Sequence, residues 1–361
     1  MRVGLFDDPI FRQHEAGPGH PERPQRLEAV REGLKEAGLE SELELREPRP
    51  ASREELLAVH TEAHVDLVAG TKDRTHRFDP DTQAGPHSYE AALRAAGAVA
   101  GAVESVLDGT LDRAFCVVRP PGHHATSDRV MGFCLFNNVA VAAAQALERG
   151  LERVAVVDPD VHHGNGTQQI FWEDPRVLYV SSHQFPFYPG TGAVDEVGEG
   201  PGRGFTLNLP MPAGLGDADY SRAYREIVAP IGRAFDPQLV LVSAGFDAHA
   251  ADPLGGMDVT DAGFAELMDV CVSLASGSAK GRVVAVLEGG YSLDALASAT
   301  AASVGRLLDH PSPPLDATPD PRTDTLLAAY RKVQTPLWPV LEPERGPRSG
   351  AWSPPPSMKC P

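Results

Sequence analysis

A run of metal-binding residue types follows a short apolar segment in the middle of the chain. Residues 154–157 are all apolar, and the sequence continues as Asp158-x-Asp160-x-His162. In an extended segment, residues two apart point to the same side, so these three side chains would face one way. Carboxylates and imidazoles are common ligands of catalytic metal ions. The stretch therefore predicts a metal site at the carboxyl end of a buried strand, where open parallel sheets place their active sites.

A second acidic strand end completes a set of three ligands. Asp247 follows the apolar run 239–244. Asp160, His162 and Asp247 would supply two carboxylates and one imidazole, which leaves a coordination position open for water. That set is typical of catalytic zinc, and it would also suit Fe(II), Mn(II) or Co(II). For the Asp-x-Asp-x-His motif alone, a polar strand end without metal is the alternative.

Two further strand ends carry groups suited to acid–base chemistry. His123 and His124 follow an apolar segment and a Pro-Pro-Gly turn. A neutral imidazole there could act as a general base near pH 7. Asp158 and Asn165 are candidate partners for the two rings, and their different charges would separate the pKa values of the histidines. Tyr291 follows two glycines, which let the backbone turn and aim the phenol at a developing oxyanion.

Strands and helices alternate along most of the chain. Strands are predicted at 2–6, 114–119, 153–158, 177–183, 205–209, 239–247 and 282–291. Helices are predicted at 26–37, 52–60, 88–107, 137–149, 219–235 and 258–276. The alternation predicts an α/β domain with a mainly parallel sheet, whose strands would bring their polar carboxyl ends to one rim.

Two other histidine-containing segments are open to more than one interpretation. The Gly/Pro-rich loop 11–24 contains His14, His20 and Glu22 and is either a surface connection or part of a site. His60 and His64 lie four residues apart, a spacing that can bind metal. With no carboxylate nearby in the sequence, we expect them to be packing or solvated residues.

The chain is expected to be one catalytic domain with an extension. Residues 1–310 carry the α/β pattern, and 361 residues with 42% hydrophobic composition can bury a sizeable core. The extension, 311–361, is Pro-rich, with a short helix predicted at 323–333 and a flexible tail at 343–361.

Composition argues against several classes of partner. The net charge of −18 disfavours nucleic acid, which requires a basic surface. The four cysteines lie far apart, so neither a disulfide framework nor a zinc-thiolate site is expected. With neither a signal peptide nor a long uncharged apolar run, a cytoplasmic location and no membrane partner are expected. A homo-oligomer stays open.

Five segments, taken in order, resemble one protein family. They are Arg119-Pro-Pro-Gly-His-His-Ala125, Gly132-Phe-Cys-Leu-Phe-Asn-Asn138, Asp158-x-Asp-Val-His-His-Gly-Asn-Gly-Thr-Gln168, Ser243-Ala-Gly-Phe-Asp247 and Leu287-Glu-Gly-Gly-Tyr291. The pattern is similar to the histone deacetylase superfamily, most of all to class II enzymes and bacterial deacetylase-like amidohydrolases. The resemblance implies a single-domain arginase/deacetylase-type fold, with an open parallel sheet flanked by helices.

The resemblance also implies cofactors. One Zn²⁺ per chain would be held by Asp160, His162 and Asp247. A structural monovalent cation, usually K⁺, is expected beside the metal strand. Its expected surroundings are Asp158, Asp160, Ser181 and Ser182.

The catalytic roles implied by the resemblance involve five residues. His124 would be the general base that activates water and then the acid that protonates the leaving amine. His123, backed by Asp158, would stabilise charge, and Asn165 would lie behind His124. Tyr291 would polarise the acyl carbonyl opposite the zinc.

The resemblance implies a narrow acyl-lysine channel beside Gly132, with Phe133 and Tyr188 as walls. Leu254 lies where polyamine-specific relatives carry an acidic residue, which favours acyl-lysine over acetylpolyamine. Pro159 stands where relatives commonly carry Trp, Leu or Ile. It removes a backbone donor beside the ligands, and we expect it to tune the site rather than to abolish it.

The activity implied is a metal-dependent deacetylase that removes acetyl or related acyl groups by metal-activated water attack. An acetylpolyamine amidohydrolase is the alternative. An arginase-like binuclear manganese hydrolase would need extra carboxylates, whereas Asn165 follows the His-His-Gly run. A non-catalytic acyl-group binder is the alternative from a different class.

Overall fold

The structure, a computed structural model, describes residues 1–312, 314–315 and 317–342. Its strands are β1 (Val3–Phe6), β2 (Leu43–Arg46), β3 (His76–Arg77), β4 (Gln83–Ala84), β5 (Arg113–Cys116), β6 (Val154–Asp158), β7 (Val177–Gln184), β8 (Thr206–Met211), β9 (Leu239–Ala244) and β10 (Val283–Leu287). Eight of them form one sheet in the order β2-β1-β5-β10-β9-β6-β7-β8. All neighbours in this sheet are parallel, and β3 and β4 form a separate antiparallel hairpin.

Helices flank the sheet. They are α1 (Gln25–Glu36), α2 (Arg53–Leu57), α3 (Glu62–Ala69), α4 (Ser88–Leu107), α5 (Asn138–Glu148), α6 (Asn165–Ile170), α7 (Asp217–Ala223), α8 (Ala229–Phe235), α9 (Asp261–Leu274), α10 (Leu293–Leu307) and α11 (Arg322–Gln334). In the described part of the chain, no helix combines the length and hydrophobicity needed to cross a membrane. The open parallel sheet flanked by helices confirms the predicted fold class.

The central strands are apolar because both faces of the sheet are covered. Every residue of β6, β9 and β10 is buried. A parallel sheet covered by helices on both sides requires such continuous apolar runs. On one side α1 and α10 pack closely, since Gly33 lies where a Cβ atom would collide with the backbone of Ala297.

The sheet order places the predicted polar strand ends side by side. β5, β10, β9 and β6 are consecutive neighbours at the centre of the sheet. The segments that follow them contain the His-His pair, Tyr291, Asp247 and the Asp-x-Asp-x-His stretch. Because the strands are parallel, these segments all leave the sheet at the same rim.

Several elements differ from the sequence prediction. The helix predicted at 219–235 is interrupted by a π-helical segment, Tyr224–Val228, between α7 and α8. Pro230, near the start of α8, lacks the N–H that would continue the regular pattern there. β2, α3, α6 and α10 were not predicted. α10 is rich in Ala and Ser, whose small side chains give a weak apolar pattern.

The described part of the C-terminal extension, up to residue 342, packs against the rest of the chain. Its helix α11 matches the one predicted at 323–333. Leu327 and Tyr330 are each only 1% exposed, and the Tyr330 hydroxyl donates to the carbonyl of Pro210 at 2.8 Å. The flexible tail predicted at 343–361 lies outside the described residues. α11 therefore contributes to the core beside the edge strand β8.

Leu327→Ala tests whether α11 is part of the cooperative fold. Removing a side chain that is this buried typically costs about 2–5 kcal/mol of unfolding free energy. We expect a fall in the midpoint of thermal unfolding of several degrees, measured by differential scanning fluorimetry. Thr325→Ala, at an exposed position of the same helix, is the control and should leave the midpoint nearly unchanged. Equal midpoints for both variants would contradict the packing described above.

Candidate active site

Three potential metal ligands converge beyond the ends of β6 and β9. Ligand atoms of Asp160, His162 and Asp247 all lie within 4.8 Å of one another. The Nδ1 atom of His162 is 3.2 Å from Asp160 Oδ1 and 3.1 Å from Asp247 Oδ2. The chemistry of this donor set fits a catalytic zinc site, with three protein ligands and an open position. The structure thus brings together the three residues predicted as ligands.

Backbone groups orient the two carboxylates of this cluster. Gly289 N–H donates to Asp160 Oδ2 at 2.9 Å, and Val161 N–H donates to Asp247 Oδ1 at 2.8 Å. Burial and the Asp160 charge raise the pKa of Asp247 to about 7. Burial alone would lower the pKa of His162. The negative charges of Asp247 and Asp160 have the larger effect and raise this pKa to about 10. A cation at the cluster would stabilise the ionised carboxylates.

Only one histidine of the His162-His163 pair belongs to the cluster. His163 points away, with Nδ1 2.8 Å from Thr191 Oγ1 and Nε2 2.9 Å from Gln168 Oε1. Its two ring nitrogens are thus engaged in a separate buried hydrogen-bond network. The sequence spacing predicted this choice, since Asp160 and His162 lie two apart in an extended segment and face the same way, whereas His163 faces the other way.

His123 pairs with a buried carboxylate. Its Nδ1 lies 3.0 Å from Asp158 Oδ2, which also accepts the Tyr179 hydroxyl at 3.0 Å. Burial alone would lower the pKa of His123. The negative charges of Asp158 and Asp160 have the larger effect and hold this pKa well above its usual value. Asp158 therefore lies behind His123, as predicted, and favours the imidazolium form.

His124 pairs with an amide instead. Its Nδ1 lies 2.8 Å from Asn165 Oδ1. Because an amide oxygen only accepts, Nδ1 carries the proton and Nε2 is left as the acceptor. Burial and the neighbouring rings of His123 and His162 hold the pKa of His124 well below its usual value. The two adjacent histidines thus have pKa values displaced in opposite directions, which suits a neutral base beside a cationic partner.

A second buried carboxylate holds the backbone of the histidine pair. Glu288 Oε2 accepts Gly122 N–H at 2.6 Å and His123 N–H at 3.1 Å. Glu288 Oε1 accepts the Ser243 hydroxyl at 3.2 Å. This residue lies within the Leu287-Glu-Gly-Gly-Tyr291 segment, but the sequence analysis assigned it no role. Its position directly after a buried strand is the sequence feature that could have indicated a role for this carboxylate.

Tyr291 faces the same cavity from the end of β10. Gly290 precedes it with φ of +115°, a conformation that favours glycine. The Arg26 guanidinium lies 4.9 Å from the centroid of its ring and donates to the carbonyl of Gly290 at 2.6 Å. Burial raises the pKa of the Tyr291 phenol well above its usual value, so it stays protonated and can donate.

These groups line a cavity of about 250 Å³. Its lining residues are Asp81, Pro121, His123, His124, Gly132, Phe133, His162, Phe187, Tyr188, Leu254, Gly289 and Tyr291. All four predicted channel residues are present. A larger cleft of about 780 Å³ between α1 and α10 contains none of the candidate catalytic or ligand residues. The chemistry of the lining therefore identifies the smaller cavity as the site.

Aromatic rings form the walls of the cavity. Phe133 stands edge-on to Tyr291, with ring centroids 6.0 Å apart. Phe187 stacks on the His162 ring at 5.3 Å, and Tyr188 stands edge-on to His124 at 5.2 Å. Phe187 was missed by the sequence analysis, although it directly precedes Tyr188. The slot between these rings would accept a slender, extended group.

The backbone at Gly132 is shaped by its closeness to His124. Gly132 has φ of +56° and lies where a Cβ atom would collide with the His124 ring. Phe133 follows with φ of +68°, which is uncommon for a residue with a side chain. The tight turn directs the Phe133 ring over the cavity.

The expected monovalent-cation residues lie beside the metal cluster. Asp158 lies opposite Ser181 where β6 pairs with β7, and the side chains of Ser181 and Ser182 are both buried. Ser181 Oγ lies 2.9 Å from His183 Nδ1, and Ser182 Oγ lies 2.9 Å from the Tyr224 hydroxyl. The oxygen-rich surroundings suit a hard cation.

Pro159 lies between two residues that keep their places in the site. Asp158 contacts His123 on one side, and Asp160 belongs to the ligand cluster on the other. Pro159 borders an apolar space of about 10 Å³ that Phe246 and Phe264 also line. Its missing N–H leaves both flanking carboxylates in position.

The remaining histidine-containing segments pack beside the site and contact the segments that form it. In loop 11–24, Glu22 is fully buried between the guanidinium groups of Arg119 and Arg26. The His60 and His64 rings are buried and stack at 4.4 Å, as the packing interpretation predicted. His60 Nδ1 lies 2.9 Å from Thr126 O, and its Nε2 accepts Asn137 N–H at 2.9 Å. The pair thus braces the segment between His124 and α5.

Taken together, the geometry can activate a nucleophile and stabilise an oxyanion. It combines a cluster that fits a metal ion, a histidine whose Nε2 is the acceptor, an imidazolium paired with a carboxylate, and a protonated phenol. This combination suits hydrolysis of an acyl compound whose carbonyl reaches the base of the cavity.

Known proteins match this chain over most of its length. The family model for the histone deacetylase domain matches residues 20–307. A protein named "Probable deacetylase" from Archaeoglobus fulgidus is 43% identical over 296 residues, which is 81% of this chain and 82% of that protein. The crystal structure of the HDA15 HD domain superposes with a TM-score of 0.88 at 39% identity, covering 94% of this chain and 96% of that one.

Two eukaryotic relatives are longer. Histone deacetylase 5 of Arabidopsis thaliana is 41% identical over 365 residues, covering 95% of this chain and 55% of that protein. Polyamine deacetylase HDAC10 of Homo sapiens is 43% identical over 338 residues, covering 89% of this chain and 50% of that protein. The chain therefore spans about half the length of these two relatives.

The buried His60 predicts a pH dependence of stability. Burial lowers its pKa to about 3 from the usual 6.5. The folded state holds His60 in its neutral form, whereas the unfolded chain binds a proton there below pH 6.5. The stability that depends on neutral His60 is therefore fully present above pH 6.5 and is lost as the pH falls from 6.5 toward 3. The loss approaches about 1.4 kcal/mol per pH unit for this one proton.

His60→Gln tests this linkage, because an amide can replace both hydrogen bonds without titrating. We expect the unfolding midpoint of this variant to fall less steeply between neutral pH and pH 5, measured by urea titration at each pH. His87→Gln, at an exposed position, is the control and should follow the wild type. Parallel curves for wild type and His60→Gln would contradict the linkage.

Proposed function

The chain belongs to the histone deacetylase family, and on that premise we propose that it is a zinc-dependent amidohydrolase. It removes acetyl or related acyl groups from amines, with lysine side chains as the preferred substrates. One observation carries the proposal: His162 of the ligand cluster, His124 and Tyr291 line a single cavity, and the two carboxylates of the cluster lie within 4.8 Å of His162.

Asp160, His162 and Asp247 hold the zinc ion in this proposal. Their donor set and their mutual distances fit it. When bound, zinc supplies Lewis-acid chemistry, which lowers the pKa of water and polarises a carbonyl. Gly289 and Val161 keep the two carboxylates aimed at the ion through their N–H groups.

His124 carries the proton through the reaction. Its Nε2 takes a proton from the attacking water and then gives it to the leaving amine nitrogen as the C–N bond breaks. The water oxygen forms the new C–O bond as the C–N bond breaks, and the products are a carboxylic acid and an amine, which ionise to a carboxylate and an ammonium ion, so no further reactant is required. Asn165 fixes the tautomer by accepting the Nδ1 proton, and the lowered pKa keeps the ring ready to accept.

His123 and Tyr291 stabilise the charge that develops on the acyl oxygen and nearby. Asp158 holds His123 in its protonated form, which places a fixed positive charge beside the reacting atoms. Tyr291 donates its phenolic hydrogen to the acyl oxygen. K⁺ is proposed to bind beside Asp158, Asp160, Ser181 and Ser182, where it would hold the carboxyl ends of β6 and β7 together.

The shape of the cavity favours an acylated lysine side chain. An aliphatic chain fits between the aromatic walls, and Leu254 adds an apolar contact. The second candidate is an acetylpolyamine, whose additional ammonium group would need an acidic partner. Asp81, which also lines the cavity, supports that candidate, and a relative is named polyamine deacetylase.

The substrate class is tested by direct comparison of rates. The zinc-loaded protein is assayed with acyl-lysine peptides of increasing acyl length and with acetylated putrescine and spermidine. We expect a higher kcat/KM on the peptides, with inhibition by a hydroxamate. The reverse order supports the polyamine candidate. Hydroxamate binding without any hydrolysis indicates an acyl-group binder, and two ions per chain indicate a binuclear hydrolase.

His124→Ala separates the base from the metal cluster. Loss of the base should lower kcat by about 10²–10⁴-fold, while zinc content stays at one ion per chain. Asp247→Asn is the matched variant, and it should lose zinc because one carboxylate ligand is gone. Activity and metal content are measured on the same samples. Full activity in His124→Ala would overturn the assignment of the base.

A further inference from the structure

One buried carboxylate joins the loops that follow the adjacent strands β9 and β10, each of which contributes a residue to the cavity lining. Asp252 is 6% exposed. Its Oδ2 accepts Tyr291 N–H at 2.6 Å and Ser292 N–H at 3.0 Å. Its Oδ1 accepts Leu254 N–H at 2.9 Å. A single side chain therefore contacts the backbone of the proposed oxyanion donor and of a proposed channel residue.

The backbone around Tyr291 is fixed from two sides. Asp252 binds its N–H, and Arg26 donates to the carbonyls of Gly290 at 2.6 Å and Glu288 at 2.6 Å. Gly290 between these contacts has φ of +115°, so the chain turns sharply there. The direction of the phenol depends on how this turn is held.

The contact does more than cap a helix. Ser292 is the N-cap residue of α10, and its own side chain makes no capping hydrogen bond. Asp252, in the loop after β9 that also contains Asp247, accepts the N–H of Ser292 itself rather than an N–H of the first helical turn. It reaches Tyr291, one residue ahead of the cap. The interaction thus sets the position of one loop relative to the other.

We propose that Asp252 is a positioning residue that sets the Tyr291 phenol and the Leu254 wall in register across the cavity. It thereby affects both oxyanion stabilisation and the fit of the acyl-bearing chain. This inference rests on the proposed amidohydrolase function. Asp252 itself does not line the cavity and does not contact the reacting atoms.

The numbers of donors and acceptors at Asp252 allow its effect on Tyr291 to be separated from its effect on Leu254. Three N–H groups require acceptors, and a carboxylate has two acceptor oxygens. In Asp252→Asn, the amide oxygen can keep Tyr291 and Ser292, but the NH₂ group then faces the Leu254 N–H. In Asp252→Ala, all three donors lose their partner. The asparagine variant therefore disturbs the Leu254 side and the alanine variant disturbs both sides.

The kinetic test compares these two variants in the zinc-loaded protein. For Asp252→Asn we expect KM on an acyl-lysine peptide to rise about 5-fold or more, with kcat within about 3-fold of wild type. For Asp252→Ala we expect kcat to fall about 30-fold. Equal losses of kcat in both variants would overturn the proposal.

A double-mutant cycle tests whether Asp252 acts through Tyr291. In the Tyr291→Phe background, Asp252→Ala should change kcat by less than about 3-fold, because the phenol is already absent. A further loss of about 30-fold in that background would show an independent effect and overturn the proposal.

Asp219→Asn is the matched control. Asp219 is 5% exposed, accepts the N–H groups of Gly216 at 2.9 Å and Asp320 at 2.7 Å, and does not line the cavity. It should lower the midpoint of thermal unfolding as Asp252→Asn does, with KM and kcat unchanged. The same rise in KM in this control would show a general effect of lost stability and overturn the proposal.

A second readout does not depend on the reaction. Hydrogen–deuterium exchange of zinc-loaded wild type and Asp252→Ala should show faster exchange in peptides covering 289–293 and 254–256, with zinc content unchanged. Unchanged exchange there overturns the positioning role even if the enzyme is active. Faster exchange in a protein that hydrolyses no acylated amine keeps the structural link and rejects the proposed function instead.

Discussion

The structure depends on one constraint: charged groups are buried at the rim of a sheet whose central strands, β6, β9 and β10, are completely buried. Removing a carboxylate from water is costly unless it is paired and hydrogen-bonded. Asp158, Asp160, Asp247 and Glu288 are all essentially inaccessible to solvent. Their positions are therefore tolerable only because nearby donors, and in our proposal a cation, satisfy them.

Backbone N–H groups are the most frequent of these donors. Asp160 is bound by Gly289, and Asp247 by Val161, so each ligand is held from a neighbouring loop. Glu288 binds the backbone of His123 in the same way. The Val161–Asp247 and His123–Glu288 contacts join the loops of adjacent strands, and the Gly289–Asp160 contact joins the loops after β10 and β6, on either side of β9. The rim is thus a network in which metal ligands, acid–base groups and channel walls hold one another in place.

The network also produces two different histidines from neighbouring positions. His123 faces a carboxylate and His124 faces an amide, and their pKa values move in opposite directions. The difference arises from the partners rather than from the rings. In the proposed reaction, this allows a fixed cation and a neutral base to act side by side. Asp252 extends the same principle to Tyr291, whose direction is set through its backbone.

The sequence by itself determined the fold class, and it predicted the three residues that form the ligand cluster and the histidines and tyrosine that meet at the cavity. Apolar runs followed by Asp, His and Tyr residues were readable because buried parallel strands need continuous apolar segments and place their ends at one rim. Only the tertiary structure decided that Phe187 forms a wall of the cavity and which backbone groups Glu288 and Asp252 bind. α10 was also missed, because its small residues give little pattern. These features depend on contacts between segments far apart in the chain, and such contacts leave no local periodicity to read.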